Sequence, residues 1–354
     1  MFNSSSSQRR SAGNFNSVHS DNPAAPRKSH LKKAVLAGLV ATAIGLVTYV
    51  EMISFTPNIQ QTKTIVEKYG IKNHDKVIGD AFTATNVHIV ESILNKTGGL
   101  TANDLLVKAG LYDNMPNWEI GALTAAKDAA MALEKEMSRS QSQDLRDPEL
   151  EKAFSSISYR PTSFWFPSSE SQYEQALGSL NNYLKRIADP SVQNAQFYAR
   201  ADNLNYWLDL VSNQLGGYSQ RLSASVEQER INTDLANDSS AKQSTHADQK
   251  IVAKTPWLEI DDVYWEARGS TWALIQLFYA IESDFGQVLK DKNAGASIKQ
   301  VIRDLEDTQK TRYYPMVLNG SPFGVTANHS LSMANYISRA NNGIIELIRL
   351  LNNG

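Results

Sequence analysis

The chain has 354 residues, 42% of them hydrophobic and 20% charged, with a formal net charge of −2. That length holds one or two domains, and the apolar fraction supports a packed core, which excludes a wholly disordered chain. The absence of cysteine excludes a disulfide scaffold, a thiolate metal site and a cysteine nucleophile, and near-neutral charge argues against a nucleic-acid partner.

Residues 1–33 are rich in Ser and Asn and poor in apolar side chains. Arg9, Arg10, Arg27, Lys28, Lys32 and Lys33 stand against Asp21, so this stretch carries +5 and the rest of the chain −7. Such a composition cannot offset its ordering entropy and predicts a disordered basic tail. From Ala34 to Val50, 17 residues carry no charge. At about 1.5 Å per residue a helix there spans roughly 25 Å, slightly short of the ~30 Å hydrocarbon core of a bilayer. Met52, Ile53 and Phe55 resume the apolar run beyond Glu51, which can snorkel, and Tyr49 stands where an interfacial aromatic belongs. A buried core helix fits poorly behind a basic tail. A cleaved signal peptide fits poorly with so long a polar start and no small-residue cleavage site. The pattern predicts one membrane helix over 34–55. The cations before it place the tail in the cytoplasm and residues 56–354 outside, which is the periplasm in a double-membrane bacterium.

The remainder reads as helices. Residues 75–96 end at Gly98-Gly99, residues 118–139 are alanine-rich, and residues 169–188 start behind Pro167 with a Ser169/Gln172 capping box and stop at Pro190. Residues 191–215 end at Gly216-Gly217, and residues 218–231 form a further helix. Residues 232–255 are polar and without pattern, a linker between a first helical half (56–231) and a second (256–354). Beyond it, residues 258–290 show an apolar face at three- and four-residue steps, with Asp261 and Asp262 in the first turn and Lys290 and Lys292 at the end. Residues 296–310 and 328–352 complete the set. Short strands near Tyr159–Phe166 or Met316–Leu318 stay open. The fold class is all-α: a single transmembrane helix followed by a multi-helix soluble domain. An internal echo hints at two duplicated halves: Pro116-Asn117-Trp118-Glu119-Ile120 resembles Pro256-Trp257-Leu258-Glu259-Ile260, and the 82 residues from Trp118 to Arg200 equal those from Trp257 to Arg339.

No histidine pair has metal-ligand spacing, no glycine-rich phosphate loop is present and no nucleophile elbow appears, so neither metal nor cofactor is expected. Asn328-His329-Ser330 reads either as a base beside a hydroxyl or, more simply, as the cap of the last helix. Ala280-Ile281-Glu282-Ser283-Asp284-Phe285 resembles the glutamate segment of lytic transglycosylases, which need a carboxyl kept protonated by apolar surroundings. That makes Glu282 the alternative catalytic residue, against a plain solvated glutamate. The six tryptophans fill helix contacts or line a groove for glycan or lipid. Trp118 and Trp257 are the candidate binding aromatics, and Arg200 and Arg339 the candidate anion-binding cations, against buried networks that fix helix register.

Several strings resemble DUF2333, an uncharacterised family of bacterial membrane-anchored proteins. They include Asp113–Glu119 (DNMPNWE), Ser138–Gln143 (SRSQSQ), Gln196–Leu204 (QFYARADNL), Ser219–Val226 (SQRLSASV), Lys254–Ile260 (KTPWLEI), Glu266–Leu274 (EARGSTWAL) and Ala327–Ala340 (ANHSLSMANYISRA). The resemblance runs from about residue 75 to the C-terminus and implies a proteobacterial inner-membrane protein with one N-terminal helix. It transfers no activity or catalytic residue. The expected function is therefore a periplasmic binding or scaffold module for an envelope protein or polymer, tethered to the lipid bilayer. A peptidoglycan-active lytic enzyme using Glu282 is the alternative.

Overall fold

A computed structural model describes residues 27–53, 55–71, 77–104, 113–139, 145–189, 191–192, 194–231, 250–311 and 317–353. Most of the expected tail, most of the expected linker and Met316 lie outside the described residues. Two units are distinguished, residues 1–49 and 50–354.

The first unit carries most of α1 (Arg27–Ile53), a continuous helix that begins earlier than the apolar run. Its Val35, Leu36, Leu39, Val40 and Ile44 are exposed. Thr42 and Thr48 donate back to the carbonyls of Gly38 and Ile44, at 2.9 and 2.8 Å. Among the described residues no helix is long and apolar enough to cross a membrane.

The second unit is helical. Its elements are α2 (Thr62–Lys68), α3 (Asp80–Asn95), α4 (Asn114–Ala132), α5 (Pro148–Ile157), α6 (Ser169–Ala188), α7 (Ala201–Ser223), α8 (Ile260–Asp284), α9 (Gly286–Asp291), α10 (Gly295–Asp307) and α11 (His329–Asn353). A π-helical turn, Leu133–Met137, continues α4, and a 3₁₀ turn, Trp257–Glu259, leads into α8. A two-stranded antiparallel ribbon pairs β1 (Gln228–Ile231) with β2 (Lys250–Ala253).

Several expectations are corrected. Gly216-Gly217 does not stop a helix, because α7 runs through both to Ser223. It lies antiparallel along α11, with Asn205 bonded to Asn352 (2.7 Å) and Ser219 to Ser338 (2.6 Å). Packing along that length outweighs the roughly 1 kcal/mol that each interior glycine costs. The expected helix over 191–215 begins only at Ala201, and the one over 218–231 gives way to β1. Residues 250–253 of the expected linker are strand β2, and no strand forms at Tyr159–Phe166. The expected 258–290 helix breaks at Phe285. Helix α5 went unread, although Asp147-Pro148 starts it in a standard way: the aspartate carboxylate accepts from Glu149 N and Leu150 N, with proline at the first position.

The core is organised around a crossing of α4 and α8. The two helices run in the same direction, with Asn117 bonded to Asp262 (2.7 Å) and Gly121 set against Glu266 and Ser270. Their backbones touch. A Cβ added to Gly121 would lie 1.8 Å from the carbonyl oxygen of Glu266, and one added to Gly269 would lie 1.9 Å from that of Trp118. Trp118 packs on Trp272 beside this contact (centroids 4.9 Å apart), while Ala122, Ala125, Ala126 and Ala129 keep the rest of the α4 surface low. Around the pair, Trp207 of α7 joins Phe82 of α3 and Phe278 of α8 through ring contacts at 5.4 and 5.0 Å. The N-terminus of α3 is closed by Asp284, whose carboxylate accepts from Gly79 N (2.9 Å) and Phe82 N (2.7 Å).

The proposed repeat does not map onto equivalent places. Trp118 is inside α4 and fully buried, whereas Trp257 precedes α8 and is exposed. Arg200 stands before α7, whereas Arg339 lies well inside α11. Gly121→Ala and Gly269→Ala are each expected to lower stability by about 3 kcal/mol, read as a fall in the urea midpoint. Unchanged midpoints for both would mean that the backbones do not meet.

Candidate binding end of the helical domain

The N-terminal ends of α4 and α8 lie together, and large apolar side chains are exposed on three segments of the domain. Trp257 and Leu258 precede α8, Phe323 and Val325 lie in the loop before α11, and Phe164, Trp165 and Phe166 lie between α5 and α6. Trp257 is 80% and Phe323 100% exposed. Both line a cleft of about 530 Å³, whose walls include Ser225, Thr255, Asn319 and Ser321. Its charged lining residues, Glu227 and Lys254, face each other at 3.7 Å.

Both walls are braced. Thr255 N donates to Ala224 O (2.8 Å), fixing the segment before Trp257 against the end of α7. On the other side Gly320 N donates to Ala327 O (3.1 Å), and Asn328 donates from its amide to Gly320 O (2.7 Å). A Cβ at Gly320 would meet Thr326 O at 2.4 Å, so this loop closes only with glycine there.

The loop carrying Phe164, Trp165 and Phe166 is held through its backbone. Ser169 Oγ lies within reach of the carbonyls of Arg160 (2.8 Å) and Ser163 (3.1 Å) and accepts from Ser163 N. Tyr173 donates to Tyr159 O (2.8 Å), and Asn103 to Ser163 O (3.1 Å) and to the Glu170 carboxylate. Asn103 is in turn placed by Glu119 of α4. The Glu119 carboxylate accepts from Thr101 N, Thr101 Oγ1 and Ala102 N and pairs with Lys96 at 2.7 Å, both side chains being almost wholly buried. Burial pushes the Glu119 carboxyl up, against the pull of the Lys96 ammonium and the Thr101 donors.

The sequence candidates separate cleanly. Trp257 lines the cleft. Trp118 does not reach a surface: a site next to Gly121 at a backbone-to-backbone crossing is sealed by the partner helix, and its ring is core. Arg200 pairs with Asp202 at 2.7 Å and Arg339 with Asp304, so neither guanidinium is held open for an anion. Glu282 is half-exposed beside Lys299 (3.7 Å), the reverse of the apolar setting that keeps a catalytic carboxyl protonated. The enzyme-like string around it has a structural use instead, through Asp284 at the start of α3. Similarly, Glu266 pairs with Arg221 (2.8 Å), and Arg268 donates to the carbonyls of Thr308 and Gln309 at the end of α10.

The Asn328-His329-Ser330 string also serves the fold. Asn328 Oδ1 accepts from Leu331 N (2.8 Å) and caps α11. His329 Nδ1 accepts from Leu318 N (3.0 Å), and Ser330 is buried on Asn319 (2.6 Å). Among the described residues no group of three or more His, Asp or Glu is placed to hold a metal ion. What the sequence reading missed is Phe323. It has no periodicity to mark it, though the flanking Gly320, Pro322 and Gly324 signal a turn that would carry it outward.

A second cavity of about 650 Å³, at Arg146, Asp147 and Arg186, is internally balanced: Arg186 pairs with Asp147 (2.7 Å) and Arg146 with Glu134 (3.1 Å).

A helical domain with one short β-ribbon, an aromatic cleft and a separate N-terminal helix is the class of molecule these features define. The chain belongs to the DUF2333 family, described as an uncharacterized protein conserved in bacteria, which it matches over residues 27–354. No curated protein and no solved structure matches it.

Two outcomes test the supporting chemistry. Glu119→Gln leaves the buried Lys96 charge uncompensated and is expected to cost about 3–5 kcal/mol, and pairing it with Lys96→Met should restore much of the loss in chemical denaturation. His88, in α3, is held down to about 4 by burial, with Lys68 adding to the effect. Its folded-state value thus lies below its unfolded one, about 6.5. The associated stability is fully present above that pH and is lost as pH falls toward 4, by up to about 3 kcal/mol. Asp128, raised to about 6 by burial, acts in the opposite sense, so the measurement is the difference between wild type and His88→Gln across pH 7 to 4. Parallel stability curves would remove His88 from the account.

Proposed function

We propose that this chain is a bitopic inner-membrane protein whose helical domain, residues 56–354, lies in the periplasm and serves as a binding module of the cell envelope. The observation that carries the binding role is the cleft at Trp257 and Phe323, two large rings left open to solvent on braced loops. Exposed aromatic surface beside polar groups is the usual anatomy of a recognition site.

The anchor rests on α1. Its uncharged run has no polar face, as a helix in lipid requires, and its threonines satisfy their hydroxyls on their own helix. The run is 17 residues against the ~20 that span a bilayer. Snorkelling by Lys32 and Lys33, or local thinning of the bilayer, closes that gap. The cations on its N-terminal side favour a cytoplasmic tail.

In cells, a C-terminal fusion to an enzyme active only in the periplasm is expected to be active, and the protein is expected to stay in the membrane pellet through carbonate extraction. Activity of a cytosol-only reporter at the same position, or release by carbonate, would end the membrane reading. For the binding role, a photo-crosslinking residue at Val325, fully exposed in the same loop as Phe323, should give a discrete adduct with an envelope protein or polymer that Trp257→Ala abolishes.

A further inference from the structure

We propose that the tip formed by Phe164, Trp165 and Phe166 enters the interfacial layer of the bilayer that holds α1, so that the helical domain docks on its own membrane; the proposal rests on the reading of α1 as the anchor. The three rings are 46%, 78% and 100% exposed, Phe166 projecting furthest. Apolar surface of this size is unfavourable in water, and the tip has the chemistry of a lipid interface. Phe and Trp favour the boundary between headgroups and acyl chains, and the Trp165 indole adds an N–H for headgroup oxygens. Residues 161–169 contain no ionisable side chain, so insertion takes no charge out of water. The nearest charge before them is Arg160, an exposed cation that suits the phosphate layer. The nearest after them, Glu170, is engaged by Asn103 at 2.9 Å.

The length of the leash selects this membrane as the occupant. Helix α1 ends at Ile53, and by Gln60 the chain is already fastened to the domain, its N–H donating to Gln276 Oε1 at 3.1 Å. The connection between those two residues spans at most about 25 Å when fully extended. With α1 in the bilayer, the domain therefore stays beside the leaflet from which it emerges. Insertion of the tip is then an intramolecular event at high effective concentration, and side chains too few to hold a free protein on lipid suffice. The loop is also presented without an ordering cost. Its main chain is pinned on both sides of the rings, by Ser169 Oγ at the Arg160 carbonyl (2.8 Å) and by Tyr173 at the Tyr159 carbonyl (2.8 Å).

The test is spin-label accessibility of the full-length chain reconstituted into vesicles of phosphatidylcholine, a lipid without net charge. The chain has no cysteine, so Thr162→Cys places one label on an exposed position beside the rings, and Lys299→Cys on α10 supplies an exposed reference. At position 162, collisions with a water-soluble nickel chelate are expected to fall severalfold below those at 299, while collisions with oxygen rise. Adding Trp165→Ser and Phe166→Ser should restore the aqueous pattern. Both rings are exposed, so thermal unfolding should be unchanged in that variant. A label at 162 as open to the chelate as one at 299, or protection that survives the double substitution, would overturn the proposal. So would protection that requires anionic lipid and is lost in high salt, and so would chelate protection without oxygen enrichment, the mark of a protein or polymer covering the tip. Carbonate extraction of the same vesicles separates the two readings. Retained protein with an aqueous tip rejects docking and keeps the anchor, and released protein rejects both.

Discussion

The end of the domain that carries Trp257 is set by one contact, the place where α4 and α8 meet without side chains between them. Two helices can approach this closely only where Cβ atoms are missing, and Gly121 and Gly269 supply the two gaps, each facing the other helix's carbonyl. Because the contact is made by backbone, it fixes axial register as well as distance. Asn117 then finds Asp262, Trp118 finds Trp272, and the N-termini of both helices emerge at the same end. The segment that carries Trp257 is simply the chain's way into α8 at that end.

A second layer of control is polar and buried. Lys96 and Glu119 form an ion pair deep in the domain, a costly arrangement that persists only when every lone pair is used. Here the remaining capacity of the carboxylate is taken by the backbone of Thr101 and Ala102. The pair is thereby turned into a clamp on the 101–103 segment, and Asn103 passes that position on to Ser163 and Glu170. Asp284 does the same at the opposite end of α8 by gripping the start of α3. Both acids thus hold a segment of main chain in place.

How much of this could be read from the sequence depended on whether the signal was local. The helix over Ser169–Ala188 was legible at both ends because Pro167 and Pro190 bracket it, although Ser168 and not the expected Ser169 caps it, accepting from Ser171 N, and the last helix was legible because Asn328 caps it. Helix ends decided by distant partners were not: the glycines inside α7 look like a stop until α11 is laid beside them. The site shows the same divide. PNWEI and PWLEI are nearly the same words, yet one tryptophan is core and the other stands in solvent. Trp118 lies one turn before a glycine that admits a second helix, and Trp257 lies in a 3₁₀ turn outside the crossing. No periodicity distinguishes them. The family resemblance read from the strings agrees with the match over residues 27–354.

The loop between α5 and α6 is shaped by serine, tyrosine and asparagine side chains that engage main-chain carbonyls, those of Tyr159, Arg160, Ser163 and Pro167. Its path is thus held mainly through the main chain, with Trp165 adding only an edge-to-face contact on Phe164 (centroids 5.6 Å apart). Two bulky rings in solvent on a loop anchored by its own main chain leave the tip's shape to the polar side chains beneath it, so substitution of Trp165 or Phe166 changes the surface the tip presents and leaves the bundle's contacts in place.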